Sequence, residues 1–144
     1  GGGGMISGMS AAIKLARPSA TVIGVEPFGA DSMFRSFVAE EPVRLDKITT
    51  IADSLASPMA MPYSFGVTHH YADEIVRVED DELRQAMRTY QNILKITAEP
   101  ACAASLAALT GPLKERATGR HVGIIACGSN ISMARYQNLL EQKQ

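Results

Sequence analysis

Hydrophobic and polar residues follow two recurring patterns along this chain. Apolar residues between Met5 and Ala16 recur at helical spacing, which predicts a first helix. Later helices are predicted over residues 29–39, 63–71, 79–96, 101–109 and 131–141. Short apolar runs rich in β-branched residues predict buried strands, at residues 20–25, 74–78 and 121–126.

Strands that alternate with helices in this way predict an α/β fold, a parallel sheet with helices on both faces. In such sheets ligands bind beyond the carboxyl ends of the strands. Glu26, the turn after Val78 and residues 127–130 all follow predicted strands. We therefore expect them to lie along one edge of the sheet, together with the glycines that begin the chain.

The composition narrows the classes of function. The chain has 144 residues, of which 46% are hydrophobic and 20% are charged, which is typical of one soluble globular domain. A net charge of −1 without a basic run argues against a nucleic-acid binder, and no apolar stretch is long enough for a membrane helix. The two cysteines are too few for a disulfide scaffold, which indicates a reducing cytoplasm.

The first four residues, Gly1, Gly2, Gly3 and Gly4, lead directly into the first predicted helix. Their N–H groups carry no side chains in front of them, and the positive end of a helix dipole favours an anion, so the turn can bind a phosphate. Four leading glycines are also typical of a linker or an expression remnant. The chain begins without a strand before this turn, which indicates a piece of something larger.

A dinucleotide site is an alternative that the spacing leaves open. Gly2, Gly4 and Ser7 approach the glycine fingerprint, and Glu26 follows after about 20 residues, where an acid would bind a ribose. Ser7 replaces the third glycine of that fingerprint. A non-catalytic nucleotide-binding module of Rossmann type therefore remains a second hypothesis.

Other polar residues have plainer interpretations. Glu99 stands at a predicted helix start, where a carboxylate is usually a cap. Cys127 either packs in the core or presents its thiol at the sheet edge. His69 and His70 are adjacent, so they point in different directions on a helix and are interpreted as surface residues rather than metal ligands. Asp80 is interpreted as part of a solvated helix start.

Five segments together resemble the serine/threonine dehydratases, which are fold-type-II pyridoxal-phosphate enzymes and include serine racemase. In chain order these are residues 1–8 (GGGGMISG), 25–27 (VEP), 50–53 (TIAD), 99–100 (EP) and 127–130 (CGSN). The resemblance covers essentially the whole chain and implies the second part of the large domain of the tryptophan-synthase-beta-like fold. It implies a homodimeric parent enzyme that converts L-threonine or L-serine to a 2-oxo acid and ammonia, or racemises serine.

The resemblance also implies a set of contacts to pyridoxal 5'-phosphate. The N–H groups of residues 1–4, with that of Met5, would hold the phosphate. Cys127 would donate a hydrogen bond to the pyridine nitrogen. Ser54, through its backbone carbonyl, and Glu99 would line the ring.

A divalent cation site is implied for some relatives, and it aligns with Glu26, the carbonyl of Ala30 and Ser32. The third ligand there is usually an aspartate. Because Mg²⁺ and Ca²⁺ binding depends on the number of charged oxygens, a serine at this position should weaken the site.

The catalytic lysine of the family is missing from its motif. That lysine, which forms a Schiff base with the cofactor, is expected in a Ser-Phe-Lys-x-Arg-Gly type sequence that this chain lacks. None of the five lysines has this context: Lys14, Lys47, Lys95, Lys114 and Lys143. The Ser-x-Gly-Asn loop that binds the substrate carboxylate is also absent. We therefore expect the chain to be inactive alone and to need a missing N-terminal half.

Overall fold

A computed structural model describes residues 1–142, so Lys143 lies outside the described residues. In chain order the elements are helix α1 (Gly4–Ala16), strand β1 (Ile23–Pro27), α2 (Ser32–Ala39), α3 (Pro62–Tyr71), β2 (Glu74–Val78), α4 (Asp80–Thr89), α5 (Pro100–Thr110), α6 (Lys114–Ala117) and α7 (Met133–Glu141). Short 3₁₀ turns form at Phe28–Ala30 and Asp53–Leu55, and a π-helical turn, Tyr90–Leu94, extends α4. None of these helices combines the length and the apolar character needed to cross a bilayer.

The two strands pair in parallel, with Ile23 opposite Glu74 and Pro27 opposite Val78. A parallel pair requires a long crossover connection, which here contains α2 and α3. The α/β class and the parallel pairing agree with the prediction. β2 has the predicted bounds, whereas β1 continues through Glu26 and Pro27, so Glu26 lies within the strand rather than after it.

Helices cover both faces of the sheet, as predicted. One face is buried against α4, α5 and α7, where Val76 and Val78 pack with Leu83 and Met87. The small side chains of α5 let this helix pack closely, and they are Ala103, Ala104, Ala107 and Ala108. On the other face Ile75 packs with Met33 of α2 and Phe65 of α3.

The prediction of a third strand at residues 121–126 is wrong. The segment has no regular secondary structure and is mostly exposed, and the Ser105 hydroxyl donates a hydrogen bond to the Ile125 carbonyl at 2.9 Å. A strand needs a neighbour for its backbone N–H and C=O groups, and within residues 1–142 the sheet consists of β1 and β2 alone. The apolar run predicted a strand from its composition, but composition does not provide the partner.

Asp73 ties the end of α1 to the start of β1. One carboxylate oxygen accepts a hydrogen bond from Lys14 Nζ at 2.9 Å, and the other accepts from the Val22 N–H at 2.7 Å. The Asp73 N–H in turn donates to the Val22 carbonyl at 2.8 Å. The hydrogen bond from Lys14, and then that from Val22, lower the pKa of Asp73 below its usual value of 3.8.

We expect Asp73→Asn to lower the free energy of unfolding by about 1 kcal/mol at neutral pH, because it weakens two charge-assisted hydrogen bonds at a partly exposed site. Since the pKa of Asp73 is lower in the folded chain, this stabilisation is present above pH 3.8 and is lost as the pH falls through the folded value. Urea unfolding at neutral and acidic pH measures both effects. The exposed Asp46, changed to Asn, is the control, and a difference that persists unchanged in acid would contradict the assignment.

Candidate functional site

The glycine turn is a packed part of the fold. Gly3 has a left-handed backbone with φ 88°, and a Cβ at this position would lie 2.6 Å from the Met33 side chain and 3.1 Å from Ser64 Cβ. The Ser64 hydroxyl donates a hydrogen bond to the Gly2 carbonyl at 2.7 Å. These contacts with α2 and α3 favour a structural turn over a linker or an expression remnant.

The turn leaves the N-terminus of α1 without a cap from the protein. The Ser7 N–H donates to the Gly3 carbonyl at 2.9 Å, and this is the first bond of the helix. The N–H groups of Gly4, Met5 and Ile6 therefore have no intrahelical acceptor, and no side chain in the described part of the chain caps this helix end. An anion of the size of a phosphate is the natural ligand for such groups.

Ser54 lies directly beside this turn. A Cβ on Gly1 would lie 3.0 Å from the Ser54 carbonyl oxygen. The loop that carries Ser54 is held by Asp80, whose carboxylate accepts the Thr50 hydroxyl at 2.7 Å and the Ile51 N–H at 3.0 Å. Asp80 stands at the start of α4, as predicted, but its carboxylate is bonded to this loop rather than free in solvent, so it anchors the loop.

Glu99 joins three segments that are distant in the chain. Its Oε1 accepts the Ser54 hydroxyl at 2.9 Å, and its Oε2 accepts the Asn130 N–H at 3.1 Å. Glu99 occupies the residue before α5, but its side chain makes no capping bond to that helix. The usual interpretation of such a carboxylate as a cap is therefore wrong here.

Gly128 brings the second glycine turn onto Glu99. Its φ is 117°, its carbonyl accepts the Glu99 N–H at 3.2 Å, and a Cβ would lie 2.6 Å from Glu99 Oε1. Cys127, the preceding residue, is exposed, so its thiol is accessible. Burial raises the pKa of the Cys102 thiol, and the nearby Cys127 and Glu99 raise it further.

A cavity of about 100 Å³ lies beside this junction and is lined by Ser54, Glu99 and Asn130. Its wall also contains Arg135, which pairs with Asp53 at 2.6 Å. Asn130 lies in the CGSN segment, but no role was predicted for it from the sequence. Arg135 was not predicted at all, because a polar residue early in a helix carries no local signal of a site.

The structure therefore brings most of the predicted cofactor residues together. Gly1 contacts the loop of Ser54, Ser54 bonds Glu99, and Glu99 bonds the turn that follows Cys127. The uncapped N–H groups of α1 lie at one end of this arrangement, and at the other end the Glu99 carboxylate joins Ser54 to Asn130. These residues fit a phosphate-bearing cofactor.

The residues predicted to bind a divalent cation fit that role poorly. Glu26 is buried. Its two carboxylate oxygens accept hydrogen bonds from the Met33 N–H at 3.1 Å and the Phe34 N–H at 2.8 Å, both in the first turn of α2. Burial raises the pKa of Glu26, and these two bonds oppose that rise. The buried Ser32 hydroxyl has no partner in the described chain. Residues 1–142 contain no group of three or more His, Cys, Asp or Glu side chains that could hold a metal ion.

Comparison with known proteins gives consistent matches. Residues 1–128 match the PALP family model, described as pyridoxal-phosphate dependent enzyme. The chain is 47% identical over 136 residues to phenylserine dehydratase of Ralstonia pickettii. The matched region covers 94% of this chain and 42% of that protein.

Solved structures give the same picture. The processed form of threonine deaminase isoform 2 from Solanum lycopersicum has a TM-score of 0.92 at 27% identity, covering 98% of this chain and 41% of that one. Serine racemase from Dictyostelium discoideum has a TM-score of 0.84 at 33% identity, covering 92% and 42% respectively. This chain thus spans less than half the length of each protein it matches here.

Alanine substitutions at Gly3, in the turn, and at Gly8, in α1, test whether the turn is sterically constrained, with Gly8 as the matched control. Gly3→Ala should lower the free energy of unfolding by about 1–2 kcal/mol, because an alanine is strained at positive φ and meets Met33 and Ser64. Gly8→Ala, on the exposed side of α1 with open space around it, should raise it by about 0.5–1 kcal/mol. Chemical denaturation of both variants measures the difference, and equal effects would show that Gly3 is not constrained.

Proposed function

Because the chain belongs to the family of pyridoxal-phosphate dependent enzymes, we propose that it is part of a dehydratase that deaminates L-threonine or L-serine. The products are a 2-oxo acid and ammonia. The observation that carries this proposal is the junction of the uncapped α1 N-terminus with Ser54, Glu99 and the turn after Cys127. When bound, pyridoxal phosphate supplies an electron sink for bonds to the α-carbon of an amino acid.

The glycine turn would bind the phosphate of the cofactor. The N–H groups of Gly4 and Met5 would donate to its oxygens, and residues 1–3 would bring further N–H groups close because they lack side chains. The positive end of the α1 dipole stabilises the phosphate charge. Among residues 1–142, no side chain caps this helix end and so occupies these donors.

Cys127 would face the pyridine nitrogen. A thiol donates a weak hydrogen bond and, unlike a carboxylate, does not force that nitrogen to be protonated. A ring held in this way is a weaker electron sink, which suits elimination of the 3-hydroxyl group. Glu99 would position the ring-lining residues, because it bonds both Ser54 and Asn130.

We propose that these residues form the C-terminal part of the large cofactor-binding domain and that an N-terminal half carries the catalytic lysine. The chain spans 42% of the Ralstonia pickettii enzyme, which supports this division. Lys14 is paired with Asp73 near the start of β1, and Lys95 donates to the Asn92 carbonyl, so neither is placed for catalysis. The parent is proposed to be a cytoplasmic homodimer whose partner molecule is a small amino acid.

The test is to combine this chain with the N-terminal half of the Ralstonia pickettii enzyme. We expect the chain alone to lose pyridoxal phosphate on dialysis and to be inactive. The assembled pair should keep the visible absorbance of bound cofactor and release ammonia from L-threonine or L-serine. A cofactor absorbance band that survives dialysis of the isolated chain would contradict the division.

The same assay separates the alternatives. Formation of D-serine without ammonia would favour a racemase of the kind that the Dictyostelium discoideum relative is named for. A strong preference for phenylserine would favour the substrate named for the relative that is 47% identical. Tighter binding of NAD than of pyridoxal phosphate, lost in Glu26→Gln, would favour a nucleotide-binding module.

Cys127 variants test the proposed contact to the ring nitrogen. Cys127→Ser keeps a hydroxyl donor and should retain kcat/KM within a few-fold in the assembled enzyme. Cys127→Ala removes the hydrogen bond, which costs about 1 kcal/mol, or roughly fivefold in kcat/KM. The absorbance maximum of the bound cofactor should move in Cys127→Ala alone. Equal behaviour of the two variants would exclude the contact.

A further inference from the structure

The Arg77 side chain is 29% exposed and lies beside the residues of the divalent cation site that the family resemblance implies. Its Nη1 lies 3.0 Å from Oδ2 of Asp31, whose side chain is only 2% exposed. The centre of its guanidinium lies 3.7 Å from the centroid of the Phe34 ring and 4.4 Å from that of Phe28. Both distances are within the range of cation–π attraction. Arg77 is therefore held by groups before and after the predicted cation ligand Ser32.

The register of the sheet places Arg77 beside the other predicted ligand. Arg77 of β2 is the direct partner of Glu26 in β1, and side chains of paired residues in parallel strands point to the same face. Asp31, which Arg77 contacts, immediately precedes Ser32. Arg77 thus contacts residues from Phe28 to Phe34 and lies opposite Glu26 in the sheet register.

The acidic groups of this segment already have partners. Asp31 also accepts Arg35 Nε at 2.8 Å, so both of its oxygens face guanidinium groups. Glu26 is bound by the first N–H groups of α2. A divalent cation neutralises buried carboxylates that lack such partners. Here the partners of Asp31 are the guanidinium groups of Arg35 and Arg77, and the partners of Glu26 are backbone N–H groups of α2.

We propose that the Arg77 guanidinium takes the place of the divalent cation in this segment. The segment is then ordered without Mg²⁺ or Ca²⁺, and Arg77 is a positioning residue. It acts on the candidate site through the turn Phe28–Ala30, because the Gly29 carbonyl accepts the Thr49 N–H at 2.9 Å. Thr49 leads directly into the loop that carries Ser54.

Gly29 lets the turn Phe28–Ala30 lie directly against the backbone at Thr49. A Cβ at Gly29 would lie 1.5 Å from the Thr49 carbonyl oxygen, so the two backbones are in close contact. A displacement of the turn Phe28–Ala30 is therefore passed on to the loop at Thr49. Arg77, which contacts Phe28 of this turn, thereby also positions the loop that carries Ser54 and forms one wall of the candidate site.

The test measures thermal melting of the 144-residue chain after chelator treatment, with and without millimolar CaCl₂ or MgCl₂. We expect one melting temperature in all conditions for the wild type, because a ligand stabilises only by binding the folded state. Calorimetric titration with CaCl₂ should show no binding. Neither measurement involves cofactor or substrate, so its failure is distinguishable from failure of the proposed function.

Variants make the test specific to Arg77. Arg77→Gln should melt several degrees lower and should be partly restored by CaCl₂ but not by NaCl of equal ionic strength. The reason is that Asp31 loses a counter-charge that Ca²⁺ can supply. Arg116→Gln, which removes an exposed arginine paired with Glu74, should change neither property. Adding Ser32→Asp to Arg77→Gln should strengthen the calcium response.

Arg77→Lys covers the case in which Arg77→Gln does not fold. It keeps the charge without the planar guanidinium, so it should melt between wild type and Arg77→Gln and stay indifferent to CaCl₂. Stoichiometric binding of Ca²⁺ or Mg²⁺ by the wild type would overturn the proposal. An Arg77→Gln that melts like Arg116→Gln, or that melts lower without responding to CaCl₂, would also overturn it.

Discussion

The first N–H groups of each helix have no acceptor within that helix and need one from elsewhere. At one edge of the sheet, this requirement determines which residues contact the helix ends. α2 meets it with the carboxylate of Glu26, which lies in the preceding strand. α4 meets it with a capping box formed by Glu79 and Glu82. α3 and α5 also begin without a side-chain cap, but each has a proline in its first turn. α1 has neither, and glycines without side chains precede it. The first N–H groups of α1 are thus the donors that the proposed phosphate site would use.

Acidic side chains organise the loops around the N-terminus of α1. Asp80 holds the loop at Thr50 and Ile51, and Glu99 connects Ser54 to the turn at Asn130. Each carboxylate bonds segments that are far apart in the chain. Loops without regular backbone bonds would otherwise have to find their partners in water. In this way the two acids supply acceptors that connect these loops to one another.

Local signals predicted the regular elements well where the chain itself supplies the partner. β2 has the predicted bounds, and α5 begins and ends within one residue of its prediction because Pro100 and Gly111 mark its ends. The segment 121–126 has the same apolar character as a strand, but no strand lies beside it within residues 1–142. Strand formation is a property of a pair of segments, whereas helix formation is mostly a property of one.

The sequence by itself determined the α/β class, the glycine turn before α1 and the resemblance to the pyridoxal-phosphate enzymes. Only the tertiary structure decided which acid meets which donor. Glu99 reaches Ser54 across 45 positions of the chain, and Arg77 reaches Asp31 across 46. Contacts at such separation depend on how helices pack against the sheet, and no local spacing encodes them. For the same reason the contact of Arg77 with Asp31, beside the cation site that the resemblance implies, could not be read from the sequence.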